Sequence, residues 1–454
     1  MTSKQQSRIT DEILQGNLIK LMFKLSIPSI LGVLVVSLNT FIDALFAGRF
    51  IGETALAGIS LASAFTSILE GIAALIGIGS ASVLSRAIGA GDVKIQSKIF
   101  GNLIMMSVVV SLFITILGYR FGQELITLMG GSGEVVLEGT RYFKTYILGS
   151  IIFIAGTACG EIIRSEGEIR LTTISICFFV TVNIFLNYIF INIYNWGTSG
   201  LALATIIAML ASGIIKLAYF ILGKSFISVS FKKIGFAIDI IPAILSVGIS
   251  SLFFPVMVLI QEFVVFNSIS NYGTNNDIAF FGAAEQVISL VFIPVLGLAQ
   301  ALQPIIGINY GAKKQKRIKK AYLIFIIFGI ILLLLICLPL QLSPRLFLGL
   351  IMPDVIFTEN DVFNFRILSI LTPVWPLASF SNTLFQAIGK GKTILLVLLV
   401  RTIGLKIPMV LFLSKKYAVQ GIYYGLCFAD IVMMLIVFTL TIIEFNNLNK
   451  LRFK

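Results

Sequence analysis

The chain has 454 residues, 57% of them hydrophobic and 12% charged, with a mean hydropathy of +1.01. An average soluble domain carries about 25% charge, so a water-solvated fold is excluded and the bilayer must be the solvent for most of the chain. The net charge is +13 and there is no histidine, which removes the commonest catalytic base, proton shuttle and metal ligand.

The N-terminus, "MTSKQQSRITDEILQGN", is polar and lacks the pattern of a signal peptide, so the first apolar run reads as a retained span. Apolar stretches of spanning length recur over 24–48, 54–80, 97–120, 140–162, 171–193, 198–222, 238–268, 279–306, 321–342, 364–387, 393–414 and 420–443. These predict an all-α integral membrane protein with twelve transmembrane helices. Lysine and arginine gather at the two ends of the chain and in the even-numbered connections. Examples are Lys4, Arg8, Lys20 and Lys24, then Arg86, Lys94 and Lys98, then Lys224, Lys232 and Lys233, the run "KKQKRIKK" at 313–320, and the terminal "KLRFK". The opposite loops are poorer in positive charge, and one holds Asp354, Glu359 and Asp361. The positive-inside rule puts both termini in the cytoplasm. The basic run then marks topology and lipid-headgroup contact rather than nucleic acid. Cys159, Cys177, Cys337 and Cys427 lie singly in apolar runs and read as small core hydrophobes.

The chain repeats itself. "GSASVLSRAIGAGDVKIQSK" ends the second run and "AQALQPIIGINYGAKKQKRIKK" ends the eighth, with Gly89 falling on Gly311, 222 residues on. "IIRSEGEIR" at 162–170 falls on "LFQAIGKGK" at 384–392 with the same offset, and "NWGTSGLALA" matches "KYAVQGIYYG". Runs 1–6 and 7–12 therefore form two pseudo-symmetric six-helix lobes of the same topology. We assign residues 1–222 to the first lobe, 223–240 to a basic cytoplasmic linker and 241–454 to the second lobe. Ten extra residues around "NSISNYGTNND" lengthen the start of the second copy.

An ionised group in hydrocarbon costs about 2.5–3.5 kcal/mol on insertion scales, so each one calls for a reason. In the first lobe Asp43 lies among Phe41, Ile42, Leu45 and Phe46, with Asn39 four residues earlier on the same helix face. The repeat places an apolar stretch near Met257 at the position of Asp43, so packing alone does not require the acid. Asn183 and Asn187, also four apart, give the fifth run an amide face. A carboxylate beside amides suits H+ or Na+, and Glu70 is a second acid nearby in sequence. In the second lobe Gln261, Glu262, Glu285 and Gln286 read as cavity groups for a cation. Arg401, Lys406 and Asp430 read as structural ion pairs.

Taken together, "NTFIDALFAGRFIGETALAGISLA", "GIGSASVLSRAIGAGD", "LAQALQPIIGINYGAKK" and "NIFLNYIF" followed by "WGTSGLALAT" resemble the multidrug and toxic compound extrusion (MATE) family over about residues 18–445. The fit is to its bacterial branch with a helix-1 aspartate. The resemblance implies two lobes around a V-shaped central cavity. It also implies export of cationic amphipathic compounds in exchange for H+ or Na+, with Asp43 as the coupling carboxylate. The chain departs from many members by carrying Asn187 in place of an acid. "FRILSILTPVWPLASFSNTLFQ" has no carboxylate, which argues against the branch that uses one on helix 10.

The expectation is thus a monomeric secondary antiporter of a bacterial inner membrane, not an enzyme. It uses no cofactor beyond the coupling ion, and its partners are small cationic drugs or toxins and membrane lipids, with no nucleic acid. The alternative is a flippase for a lipid-linked oligosaccharide, which would need a strongly basic cavity.

Overall fold

A backbone in hydrocarbon must satisfy its own N–H and C=O groups, so each apolar run becomes a helix. The computed structural model describes residues 2–227, 235–353 and 355–450, with side chains from Ile9 onward. Lys232, Lys233, Asp354 and residues 451–454 of the sidedness argument lie outside the described residues, as does part of the expected linker 223–240. So do the side chains of Lys4 and Arg8.

A short helix α1 (Thr2–Gln15) precedes α2 (Leu18–Leu45), which passes into a π-helical turn at Phe46–Ile51. Then come α3 (Glu53–Ala90), α4 (Val93–Leu128), α5 (Gly133–Leu148), α6 (Ser150–Ser165) and α7 (Ile169–Asn187) with a second π turn at Tyr188–Ile193. α8 (Gly197–Ile221) completes the first half. The second half holds α9 (Ile241–Tyr272), α10 (Asn275–Gly311), α11 (Gln315–Leu342), α12 (Pro344–Gly349), α13 (Glu359–Ser369), α14 (Trp375–Ala387) and α15 (Gly391–Leu399). A third π turn at Val400–Lys406 leads into α16 (Ile407–Lys450). No strand occurs among the described residues. Some helix starts carry side-chain caps: Asn17 accepts from the N–H of Ile19 at 2.9 Å, and Thr274 with Asp277 and Thr358 with Asp361 each form a capping box.

Among the described residues ten helices are long and apolar enough to span, and the pair α5 and α6, bent by 58°, forms an eleventh. The last of the ten, Gly391–Lys450, is two spans. Its backbone turns at Tyr417 and Ala418, where Ala418 has φ +50°. The chain then folds back, so that a Cβ on Gly425 would meet the Val410 N at 2.8 Å and the Met409 carbonyl oxygen at 2.9 Å. That gives twelve, at the places the apolar runs predict. Two spans are less regular than a continuous run implies. The fourth breaks at Gly149, and the tenth at the 3-10 turn Thr372–Val374, where Pro373 and Pro376 remove backbone donors. Two of the cysteines also differ from expectation. Cys159 and Cys337 are buried, but Cys427 is half-buried and Cys177 exposed.

The halves meet through α2 and α3 against α9 and α10, with glycine allowing close approach. A Cβ on Gly71 would lie 3.0 Å from Pro255 Cγ, and Gly79 abuts Ile244. The repeat-matched pair packs reciprocally: Gly89 lies against Ile308 and Ala312, Gly311 against Arg86 and Ala90. Polar bonds add to this seam. Ser29 Oγ donates to Gln300 Oε1 at 2.9 Å and Arg86 Nη1 to the Ile388 carbonyl at 3.0 Å. Gly71 meets Pro255 at the middle of both helices, and the Gly79, Gly89, Gly311 and Arg86 contacts lie toward the end carrying the α3–α4 and α10–α11 connections, here called the basic end. Toward the opposite end α3 packs within its own half, Gly58 against Gly139 of α5.

Candidate functional site

Asp43 occupies the last turn of α2, immediately before the π turn Phe46–Ile51. Asn39 Nδ2 donates to one carboxylate oxygen at 3.0 Å and Asn187 Nδ2 to the other at 2.7 Å. Asn187 also donates to Asn183 Oδ1 at 3.1 Å, Asn183 to Thr205 Oγ1 at 3.2 Å, and Thr205 to the Leu201 carbonyl at 3.0 Å. The chain of bonds thus runs from α2 through α7 to α8. Asn39, Asn183 and Asn187 are buried.

The amide oxygens of Asn39 and Asn187 are buried and have no hydrogen-bond partner. An acceptor left so costs about 1–3 kcal/mol. Both belong to amides whose nitrogens face the Asp43 carboxylate. A cation bound to that carboxylate would take an amide oxygen as a further ligand once the amide turns over, giving the mixed anionic and neutral oxygen set that hard cations take. The residues present therefore fit a coupling ion.

Tyr142 of α5 lies within electrostatic reach of both Asp43 and Glu70. Glu70 itself is exposed and forms no hydrogen bond among the described residues. Sequence reasoning did not identify Tyr142 or Thr205, since neither is charged and both come from other helices. It also missed the π turns, which insert a residue into the helical repeat and recur at functional sites. Two of the three flank this cluster: Asp43 precedes one, and Asn187 immediately precedes the other.

In the second half Asp430 of α16 lies 3.3 Å from Lys406 Nζ and 3.5 Å from Arg401 Nη2. The buried Lys406 and the half-buried Arg401 both stand on the third π turn, so one carboxylate answers two cations. Glu285 is within electrostatic reach of Lys406, Arg401, Asp430 and Glu262. Glu262 and Glu285 are both exposed. The side chains of Gln261 and Gln286 form no hydrogen bond among the described residues, and nothing draws them into the ion-paired cluster. Among the described residues no group of histidine, cysteine and carboxylate side chains fits a metal cluster.

The sequence matches the MatE family over residues 28–189 and 242–412, one match in each half. The chain is 22% identical over 427 residues to the multidrug export protein MepA of Staphylococcus aureus (strain MRSA252), covering 93% of this chain and 94% of that one. It is 23% identical over 438 residues to the MepA of Staphylococcus saprophyticus, covering 94% and 95%. Its fold is similar to that of a MATE protein crystallised in a bent conformation, with a TM-score of 0.92 over 98% of this chain and 99% of that one at 22% identity. It is also similar to an outward-facing multidrug resistance transporter of the MATE family, with a TM-score of 0.89 over 97% and 98% at 22% identity. Two matches in tandem, covering most of both halves of a twelve-span bundle, settle the affiliation: the chain belongs to the MatE family, the multidrug and toxic compound extrusion transporters, and is a multi-pass membrane transporter rather than an enzyme.

Proposed function

We propose that this protein exports cationic amphipathic compounds by alternating access, in exchange for H+ or Na+ taken up at Asp43. The observation that carries the reading is the part-buried Asp43 carboxylate held by two amides, Asn39 and Asn187, whose own oxygens are buried without partners. The relatives that are multidrug export proteins supply the substrate class by analogy. An ion drives transport only if its affinity differs between the two conformations. The cluster meets that requirement in principle, because its ligands come from α2, α7 and α8 and any relative movement of these helices changes their number. In this reading the termini and the basic end face the cytoplasm. Glu70, Glu262, Glu285, Gln261 and Gln286 line the route of the cationic substrate. Arg401, Lys406 and Asp430 hold the second lobe together, and the protein works as a monomer in a bacterial inner membrane.

The test is efflux of ethidium from proteoliposomes under imposed pH or Na+ gradients. Gradient-driven efflux of the dye is the expected result. No cationic compound moved, together with transfer of a labelled lipid-linked sugar, would replace this reading with that of a flippase.

A further inference from the structure

At the basic end, away from both polar clusters, the turn between α1 and α2 and the first turns of α11 enclose a pocket of about 620 Å³. Three cations line it: Lys316, Arg317 and Lys320. Arg317 is fixed by the carbonyls that end α1, with Nε donating to Ile13 at 2.8 Å and Nη2 to Gly16 at 2.5 Å. Lys316 and Lys320 are exposed and pair with no acid among the described residues. No carboxylate is among the residues that line the pocket, and Glu12 of α1 is held by Lys24. The site therefore presents positive charge in a concave setting with no acid lining it among the described residues.

Its other wall is apolar. Ile19 and Ile324 line the pocket, and from them two stripes lead away along the bundle surface at helical spacing. On α2 these are Ile19, Phe23, Ile27 and Leu31, between 41% and 53% exposed; on α11 they are Leu323, Ile327 and Ile331, between 50% and 57%. Phe23 and Phe328 meet edge to face, with centroids 5.1 Å apart, where the two helices touch. Charge at the helix starts above an outward apolar groove fits a molecule with an anionic head and hydrocarbon tails.

We propose that this pocket holds the phosphate of an anionic phospholipid, with its acyl chains along the groove between α2 and α11. The inference rests on the membrane reading of the chain, not on the drug or the ion. One wall belongs to each half, so a lipid seated there favours the arrangement in which the basic end is closed.

The test uses the full-length protein reconstituted in phosphatidylcholine nanodiscs with a small fraction of phosphatidylglycerol, and native mass spectrometry of the retained lipid. Phosphatidylglycerol should be retained over phosphatidylcholine by at least about tenfold, since each of the two lysines near such a headgroup contributes roughly fivefold. The preference should vanish in K316Q/K320Q and persist in Lys392→Gln, which removes a lysine from outside the pocket. Both variants should keep the wild-type melting temperature in phosphatidylcholine alone, which shows that they fold. Retention of the preference in K316Q/K320Q overturns the proposal. So does displacement of the lipid by millimolar inorganic phosphate, which marks a simple anion site.

Discussion

A carboxylate placed in hydrocarbon costs about 2.5–3.5 kcal/mol, and a hydrogen bond to a charged group contributes about 1.5–3 kcal/mol. Two amide donors, Asn39 and Asn187, therefore roughly offset the cost of Asp43 and leave the site near balance. A group near balance responds to one more charge, which is what a coupling site needs. Removing one amide in Asn187→Ala takes away a donor and a potential ion ligand. The concentration of the driving ion at half-maximal dye efflux should rise by about tenfold or more, and an unchanged value would remove Asn187 from the site. The second-half cluster obeys a different logic. Asp430 answers both Lys406 and Arg401, so Asp430→Ala leaves a buried ammonium unpaired, at a cost of about 3–5 kcal/mol. The double variant Asp430→Ala with Lys406→Met should melt at a higher temperature than Asp430→Ala alone. A double variant no more stable than the single one contradicts the pairing.

At the scale of elements, the helices that cross between halves depend on glycine. Gly248 lies directly against the Leu75 backbone, so Gly248→Leu has no room unless α3 and α9 separate. Crosslinking between cysteines placed on α3 and α9 near this point should drop sharply in that variant, whereas wild-type yields would show that the seam tolerates the bulk. The segment joining the halves is anchored at its start by Glu166, which accepts from Tyr219 at 2.6 Å, Ser225 at 2.5 Å and the Phe226 N–H at 3.1 Å. Burial pushes its carboxyl up to about 7, against the lowering effect of those donors. Because the folded value is raised, its contribution to stability is full below the ordinary carboxylate range and is lost as pH rises through about 7. Melting temperature should therefore fall between about pH 5 and pH 8, with a shallower slope in Glu166→Gln. An identical slope in that variant would assign the pH dependence elsewhere.

Much of this was legible in the sequence for definite reasons. Spans are long apolar runs, and residues four apart share a face, so Asn39 with Asp43 and Asn183 with Asn187 were readable as pairs. That the two pairs meet depends on how α2 packs on α7, which leaves no local pattern. The π turns, the break at Gly149 and the reversal at Tyr417 and Ala418 were likewise hidden, because each interrupts a run whose composition stays apolar.

For the molecule as a whole, two matching halves sealed at one end imply that access to the acids comes from the other. In a background lacking the native cysteines, Glu262→Cys should react with a membrane-impermeant maleimide added outside cells, and Ser82→Cys should not. Ser82 lies in the seam, where its hydroxyl donates to the Gln386 carbonyl. Absence of labelling at Glu262→Cys from outside, with labelling restored in inside-out vesicles, would invert the orientation. The central claim is that ion binding at Asp43 drives export, and Asp43→Asn tests it most directly. Asparagine keeps the size of the side chain and one of its two acceptor oxygens but cannot carry the charge. In proteoliposomes with an imposed H+ or Na+ gradient, the variant should still bind ethidium yet show no gradient-driven efflux. Efflux that still follows the gradient as in the wild type would contradict the account.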